Sequence, residues 1–296
     1  MQKDKLRLGI DLGGTEIKFG VFNFNNSMLY KTSILTPDKV DEIINDISKT
    51  CNKILSQFDI GNMGIGIPGE VCNGVVDTDN LPFKNYPLDE ELEKRTGRKF
   101  RIANDADCAA LAEIRCGEGV GFENLVMITL GTGIGGGIVI NKKIYQGRGV
   151  AGEIGHMCIQ VGGRKCSCGR NGCWERYSSA SALISTAKEG IENKKGILYD
   201  LYIKNGKKMD GKIFFKALSE RCELAVDIFN EYIYYTAIGI DNIISIFDPD
   251  MIVLSGGITN SNHQLLEPIK KAITYNTPIA VSKLKGDAGI VGASLL

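Results

Sequence analysis

The spacing of apolar positions changes repeatedly along the chain, and each change marks an element. Leu6–Leu12 is a short apolar run ending at Gly13-Gly14, and Ile17–Phe22 resumes it: two strands joined by a glycine turn. Residues 28–34 supply a third strand. From Val40 to Phe58 the period lengthens, and Ile43, Ile44, Ile47, Cys51, Ile54 and Leu55 fall on one face of an amphipathic helix. Met63–Ile67 reads as a buried strand stopped by Pro68-Gly69. Residues 87–97 read as a helix ending at Gly97, and Phe100–Ala103 as a further strand. Asn104-Asp105 caps a helix running to about Cys116.

The order then begins again. Leu125–Leu130 is a strand, Gly131-Thr132-Gly133 a turn and Gly136–Ile140 a returning strand, an echo of the first hairpin. Helices are predicted near 178–190, 211–218 and 220–246. A strand at Met251–Ser255 runs into Gly256-Gly257, followed by a helix at about 262–274 and a short apolar helix in 286–296. Hairpins followed by alternating helices and strands, twice over, predict an α/β protein of two related domains. A length of 296 residues accommodates both.

Charge and composition narrow the function. Lys plus Arg and Asp plus Glu both number 35, so no basic field draws nucleic acid. No apolar run reaches the roughly 18–20 residues of a membrane span. Cys51, Cys72, Cys108, Cys116, Cys158 and Cys222 stand singly in apolar contexts and read as small buried hydrophobes, not disulfides. With no apolar signal segment, the expectation is a reducing cytoplasm. Glycines cluster beside strand-like runs, where backbone can come close to a small ligand.

Residues 153–175, EIGHMCIQVGGRKCSCGRNGCWE, hold the most specific chemistry. His156, Cys166, Cys168 and Cys173 are one imidazole and three thiols, the donor set of a closed structural zinc site. The bland alternative is four residues that happen to lie close together. The C-x-C-x4-C spacing after a histidine favours zinc. Glu153 and Glu175 flank the cluster, so a metal would also fix two carboxylates.

Two glycine turns could hold a polyphosphate. In Asp11-Leu-Gly-Gly-Thr15, the Gly13 and Gly14 amides can approach phosphate, Thr15 adds a donor, Asp11 can hold Mg²⁺ through water, and Lys18 adds charge. Leu130-Gly131-Thr132-Gly133 repeats the device. A bare glycine hairpin explains either turn alone. Neither fits the P-loop or the dinucleotide fingerprint. Gly256-Gly257, at a strand end, is a third candidate or an ordinary turn. Asp105 is either part of a helix cap or a general base that places a sugar hydroxyl in line with a γ-phosphate, with Asn104 on a neighbouring hydroxyl.

Together D11-L-G-G-T15, N104-D-A-D-C-A-A-L-A-E113, L130-G-T-G-I-G-G-G137, E153-I-G-H156 and C166-S-C-G-R-N-G-C173-W-E175 resemble the ROK family of sugar kinases and sugar-responsive repressors, in the family's order and across the chain. The resemblance implies two ribonuclease-H-like domains of the actin-like ATPase/hexokinase superfamily flanking a cleft, with a zinc-binding loop. The smaller would take residues 1–104 plus 286–296, and the larger 105–285 with the loop. It implies Asp105 as catalytic base, and Asn80, Asn104, Asp105, Glu153, His156 and Glu175 on the sugar. His156 would give one ring nitrogen to zinc and the other to substrate. Asp11, Gly13, Gly14, Thr15, Lys18, Gly131, Thr132, Gly133, Gly256 and Gly257 would surround Mg²⁺-ATP. Glu70, Val71, Asp79 and Asn80 lie where relatives vary with substrate.

The expected activity is ATP-dependent phosphorylation of a hexose, glucose at its 6-hydroxyl. N-acetylmannosamine, fructose, allose and β-glucosides are the alternatives. A sugar-sensing regulator is the competing class. Its DNA-binding module would precede the first glycine turn, where only ten residues stand before Asp11. The resemblance further implies a homo-oligomer, dimer or tetramer, with no nucleic-acid or membrane partner.

Overall fold

A computed structural model describes residues 5–78, 80–192 and 196–296, excluding the side chains of residues 260–263 and 285. Asp79 lies outside the described residues. In chain order the first half runs β1 (Leu6–Leu12), β2 (Glu16–Phe22), β3 (Met28–Leu35), α1 (Val40–Leu55), β4 (Ile60–Ile67), β5 (Glu70–Cys72), β6 (Val75–Asp77), β7 (Tyr86–Pro87), α2 (Leu88–Thr96), β8 (Arg101–Asn104) and α3 (Asp105–Cys116). There follow β9 (Leu125–Leu130), β10 (Ile134–Ile140), β11 (Lys143–Ile144), α4 (Glu175–Ser178), α5 (Ala180–Gly190), α6 (Ile197–Lys204) and α7 (Gly211–Ser219). The chain finishes with α8 (Glu223–Phe247), β12 (Met251–Ser255), α9 (Asn262–Ala272), β13 (Ile279–Val281) and α10 (Ala288–Ala293).

The chain forms an α/β fold with mixed sheets. One five-stranded sheet has the order β3-β2-β1-β4-β8, antiparallel across β3-β2-β1 and parallel across β1-β4-β8. The other has the order β11-β10-β9-β12-β13. Numbered within its own sheet, each reads third, second, first, fourth, fifth, so the repetition in the sequence is a repetition of topology. A small sheet, β5-β6-β7, completes the strands.

Packing divides the chain into two compact units: residues 1–127, 137–152 and 283–296, and residues 128–136 and 153–282. Backbone passes from one to the other within β9 and β10. In the first unit, Ile43, Ile44 and Ile47 of α1 join Leu8, Ile10, Phe19 and Ile65 of the sheet in one core. Helix α3 belongs to this first unit, where the sequence reading began the larger domain at Asp105. The reason is its contact with α10: a Cβ on Gly292 would stand 1.6 Å from the Cys108 carbonyl oxygen, so only glycine lets the backbones meet.

Periodicity located the long elements closely and missed the short ones. Strands β5, β6, β7, β11 and β13 are two or three residues each, too short to show a period. Helix α6, eight residues long, was also missed. Among the lone cysteines, Cys51, Cys108 and Cys222 are buried as expected, but Cys72 and Cys158 are exposed. Cys72 sits on a strand whose alternation turns Val71 inward and Cys72 out.

Candidate active site

The second unit assembles the histidine–cysteine loop. Backbone bonds fold residues 157–174 on themselves: Ile159 N–H donates to Gly172 O, Trp174 N–H to Met157 O, and Cys166 N–H to Arg170 O. Gly172 adopts φ 81°, and a Cβ there would lie 1.8 Å from Gln160 O, so this tight ribbon needs glycine. The fold brings the donor atoms of His156, Cys166, Cys168 and Cys173 within 4.8 Å of one another. Cys168 Sγ lies 3.5 Å from Cys173 Sγ, and Cys166 Sγ 3.6 Å from His156 Nδ1. A tetrahedron with metal–sulfur bonds of about 2.3 Å has edges of about 3.8 Å. The donor set and its spacing therefore fit a zinc ion.

The same geometry assigns the two ring nitrogens. His156 Nδ1 faces the thiols, whereas Nε2 lies 3.9 Å from Glu153 Oε2. Hydrogen bonds from the Arg170 backbone and side chain draw the Cys168 thiol down to about 6, favouring the thiolate a metal needs. Glu175 Oε1 lies 3.1 Å from Cys166 Sγ and 3.8 Å from His156 Nδ1. Its other oxygen lies 2.7 Å from where a Cβ on Gly133 would stand, so Gly133 makes room for this carboxylate. Gly155 does the same for the backbone, because a Cβ there would meet Ile134 O at 2.1 Å.

Side chains other than the candidate donors hold the loop in place. Trp174, between Cys173 and Glu175, is fully buried and donates its Nε1–H to Tyr235 O on α8 at 3.0 Å. Gly239, one turn further along α8, leaves space for the indole: a Cβ there would lie 2.0 Å from Trp174 Cε2. Arg164 stacks over the Tyr177 ring at 4.7 Å and reaches Glu231 Oε1 at 3.2 Å. Trp174, the chain's single tryptophan, stands inside the Cys166–Glu175 motif, but nothing in the spacing shows what it packs against.

The first unit holds the remaining acidic groups. Asn104 caps α3, its Oδ1 accepting Ala106 N–H at 2.8 Å while its Nδ2 donates to Gly69 O at 2.9 Å. An amide carries two N–H donors, so one remains for a ligand. Asp105 follows at the first turn of α3, its Oδ1 also accepting Ala106 N–H at 2.9 Å. Burial pushes the Asp105 carboxyl above its ordinary value, against the opposing pull of the Ala106 and Asp105 amides. Asp11 is raised too, first by burial, with Lys18 opposing and the Asp105 charge adding to the rise. Antiparallel pairing sets Asp11 opposite Lys18, whose Nζ lies 3.7 Å from Asp11 Oδ2 and donates to Gly286 O at 3.1 Å.

The glycine turns separate into structural and unexplained positions. Gly256 has φ 102°, and a Cβ there would meet Leu130 O at 2.3 Å, so its glycine serves the fold and seats this turn against the end of β9. In the first hairpin, Gly13 O accepts the Thr36 hydroxyl at 2.7 Å, and a Cβ on Gly13 would approach Glu16 O at 3.0 Å. Gly131 and Gly257 have nothing within 4 Å of a Cβ, and Gly14 has only Asn80 O at 3.9 Å. None of these three has a left-handed φ. Neither packing nor backbone demands glycine there; close approach of a ligand would. Thr15, Thr132 and Asn80 are exposed.

Residues 7–296 match the ROK family. The chain belongs to that family. It is 33% identical to the glucokinase of Streptomyces coelicolor, covering 98% of this chain and 96% of the relative. It is 34% identical to the N-acetyl-D-glucosamine kinase of Vibrio cholerae, covering 97% and 98%. Among solved structures it resembles a ROK family glucokinase from Streptomyces griseus in complex with glucose and AMPPNP. The TM-score is 0.81 at 32% identity, with 98% of each chain covered. No helix among the described residues is long and apolar enough to cross a membrane.

Proposed function

We propose that this ROK-family chain, an ATP-dependent sugar kinase, phosphorylates glucose at its 6-hydroxyl with Asp105 as general base. The observation that carries the reading is the partly buried Asp105 carboxylate at the N-terminus of α3. Its position is fixed by the Ala106 amide, and burial makes it a better base than an exposed aspartate. Asp105 orients the hydroxyl and accepts its proton as the oxygen attacks the γ-phosphorus of ATP; the terminal phosphoryl passes to the sugar and ADP leaves. Magnesium, carried with the nucleotide, would neutralise charge on the phosphates. Asp11, steadied by Lys18, would hold it, and Gly14, Gly131 and Gly257 would leave room for the phosphates.

On this reading the remaining nitrogen of His156, with Glu153 and Glu175, binds sugar hydroxyls, joined by Asn104 and Asn80. Zinc held by His156 Nδ1, Cys166, Cys168 and Cys173 supplies a rigid frame and no chemistry of its own. With all four donors from the protein, no position would be left for water. The matching order of the two five-stranded sheets supports a pair of ribonuclease-H-like domains. Free cysteines and a nucleotide substrate suit the cytoplasm.

The comparisons add an acceptor that the sequence reading had not considered. Relatives named N-acetyl-D-glucosamine kinase match as extensively as those named glucokinase, so N-acetylglucosamine is the second reading. A coupled ATP assay over glucose, N-acetylglucosamine, N-acetylmannosamine, fructose, allose and a β-glucoside decides between them. Glucose should give the highest kcat/KM. A tenfold preference for N-acetylglucosamine would replace it, and no turnover with any sugar would favour the regulator.

A further inference from the structure

The loop holds a fourth cysteine that the zinc site does not use. Cys158 is exposed and forms an isolated antiparallel pair with Cys173, one of the zinc donors. The flanking bonds, Ile159 N–H to Gly172 O and Trp174 N–H to Met157 O, both at 2.9 Å, make this the narrow, non-hydrogen-bonded kind of pair. Facing residues in such a pair have Cα atoms about 4.5 Å apart, inside the range a disulfide spans. Their side chains stand on the same face of the ribbon. Cys158 Sγ now rests 3.6 Å from Asn171 O, on the residue two before Cys173. A turn about its Cα–Cβ bond carries it towards Cys173 without moving backbone. Of this pair Cys173 is fully buried, so an oxidant in solution meets Cys158 before Cys173.

We propose that Cys158 is a peroxide-oxidation site which, by forming a disulfide with Cys173, removes one zinc donor and switches the loop off. The proposal rests on the zinc reading above. In the first step the Cys158 thiol attacks hydrogen peroxide, the O–O bond breaks, and Cys158 sulfenic acid and water result. In the second the Cys173 sulfur attacks the Cys158 sulfur and displaces hydroxide, which takes up the remaining proton as water. Overall two thiols lose two hydrogens and one peroxide becomes two waters. Zinc keeps at most three protein donors and leaves, and the Glu153, His156 and Glu175 arrangement that it framed relaxes. A thiol reductant restores both thiols.

The test treats the full-length protein with a few equivalents of hydrogen peroxide and follows three readouts. These are zinc release to a colorimetric chelator, peptide mapping of disulfides by mass spectrometry, and kinase activity before and after dithiothreitol with zinc. Wild type should release zinc, show a Cys158–Cys173 linked peptide, and recover on reduction. Cys158→Ser and Cys158→Ala should start equally active and lose zinc at least fivefold more slowly. Equal zinc loss in these variants, or a map showing only Cys166, Cys168 and Cys173 linked among themselves, would overturn the switch while leaving the zinc site standing. Purified protein containing no zinc would overturn both.

Discussion

Replacing Gly239 with alanine tests how the zinc loop is anchored. In isolation the change favours α8, because alanine is about 1 kcal/mol better than glycine inside a helix. Here the new Cβ would lie 2.0, 2.4 and 2.4 Å from three ring atoms of Trp174. Those atoms belong to a rigid, fully buried indole tied to Tyr235 O, so no flexible end can give way. Overpacking of this kind costs about 1–3 kcal/mol, and here the upper end applies because the ring must move as a body. The clash wins, with a net loss of about 2 kcal/mol. For a unit of this size that is a fall in Tm of roughly 4–8 °C. Because Trp174 joins Cys173 to Glu175, the displaced ring should also raise the sugar KM and weaken zinc retention. Thermal unfolding of Gly239→Ala beside Gly211→Ala is the assay. Gly211, at the start of α7, has nothing within 4 Å of a Cβ, so its variant should melt at or slightly above wild type. A Gly239→Ala protein as stable as wild type would refute the anchoring argument.

Other consequences are open to direct measurement. Asp105→Asn should lower kcat by orders of magnitude while sugar binding, measured by calorimetry, largely survives; near-normal turnover would remove Asp105 as the base. Burial raises the Asp105 carboxyl, so the base is lost to protonation at a higher pH than an exposed aspartate near 3.9 would be. The acid limb of the kcat profile should therefore stand above that value, and an unshifted limb would count against the assignment. Cys168→Ser should abolish zinc binding, destabilise the loop and raise the sugar KM; a metal-free variant with full activity would show that zinc is not structural. Lys18→Met should raise the KM for Mg²⁺-ATP more than that for sugar, since Lys18 steadies Asp11; an unchanged nucleotide KM would sink that role.

The motifs were legible because their chemistry is local. His156, Cys166, Cys168 and Cys173 lie within eighteen residues, so chain connectivity alone brings their donors near one another and residue type marks them as a candidate metal set. Asn104 was equally legible as a cap, since that bond reaches only to Ala106. Its second bond, to Gly69 O, joins residues 35 apart and left no trace in the spacing. Gly133 read as one more phosphate-turn glycine, yet its missing side chain is occupied by the Glu175 carboxylate. Gly239 drew no notice in an otherwise regular helix.

The sequence by itself therefore determined the kinds of element, their order, the doubled pattern and the donor set of the loop. Each of these depends on residues a few positions apart, where backbone geometry leaves few choices. Only the tertiary structure decided which ring nitrogen of His156 faces the thiols, that Cys158 stands opposite Cys173, and that Trp174 fits the gap at Gly239. The first two come from the loop's own ribbon folding back on itself, and the third from segments distant in the chain packing against one another. There a single absent Cβ determines whether two surfaces meet, and no local pattern records it.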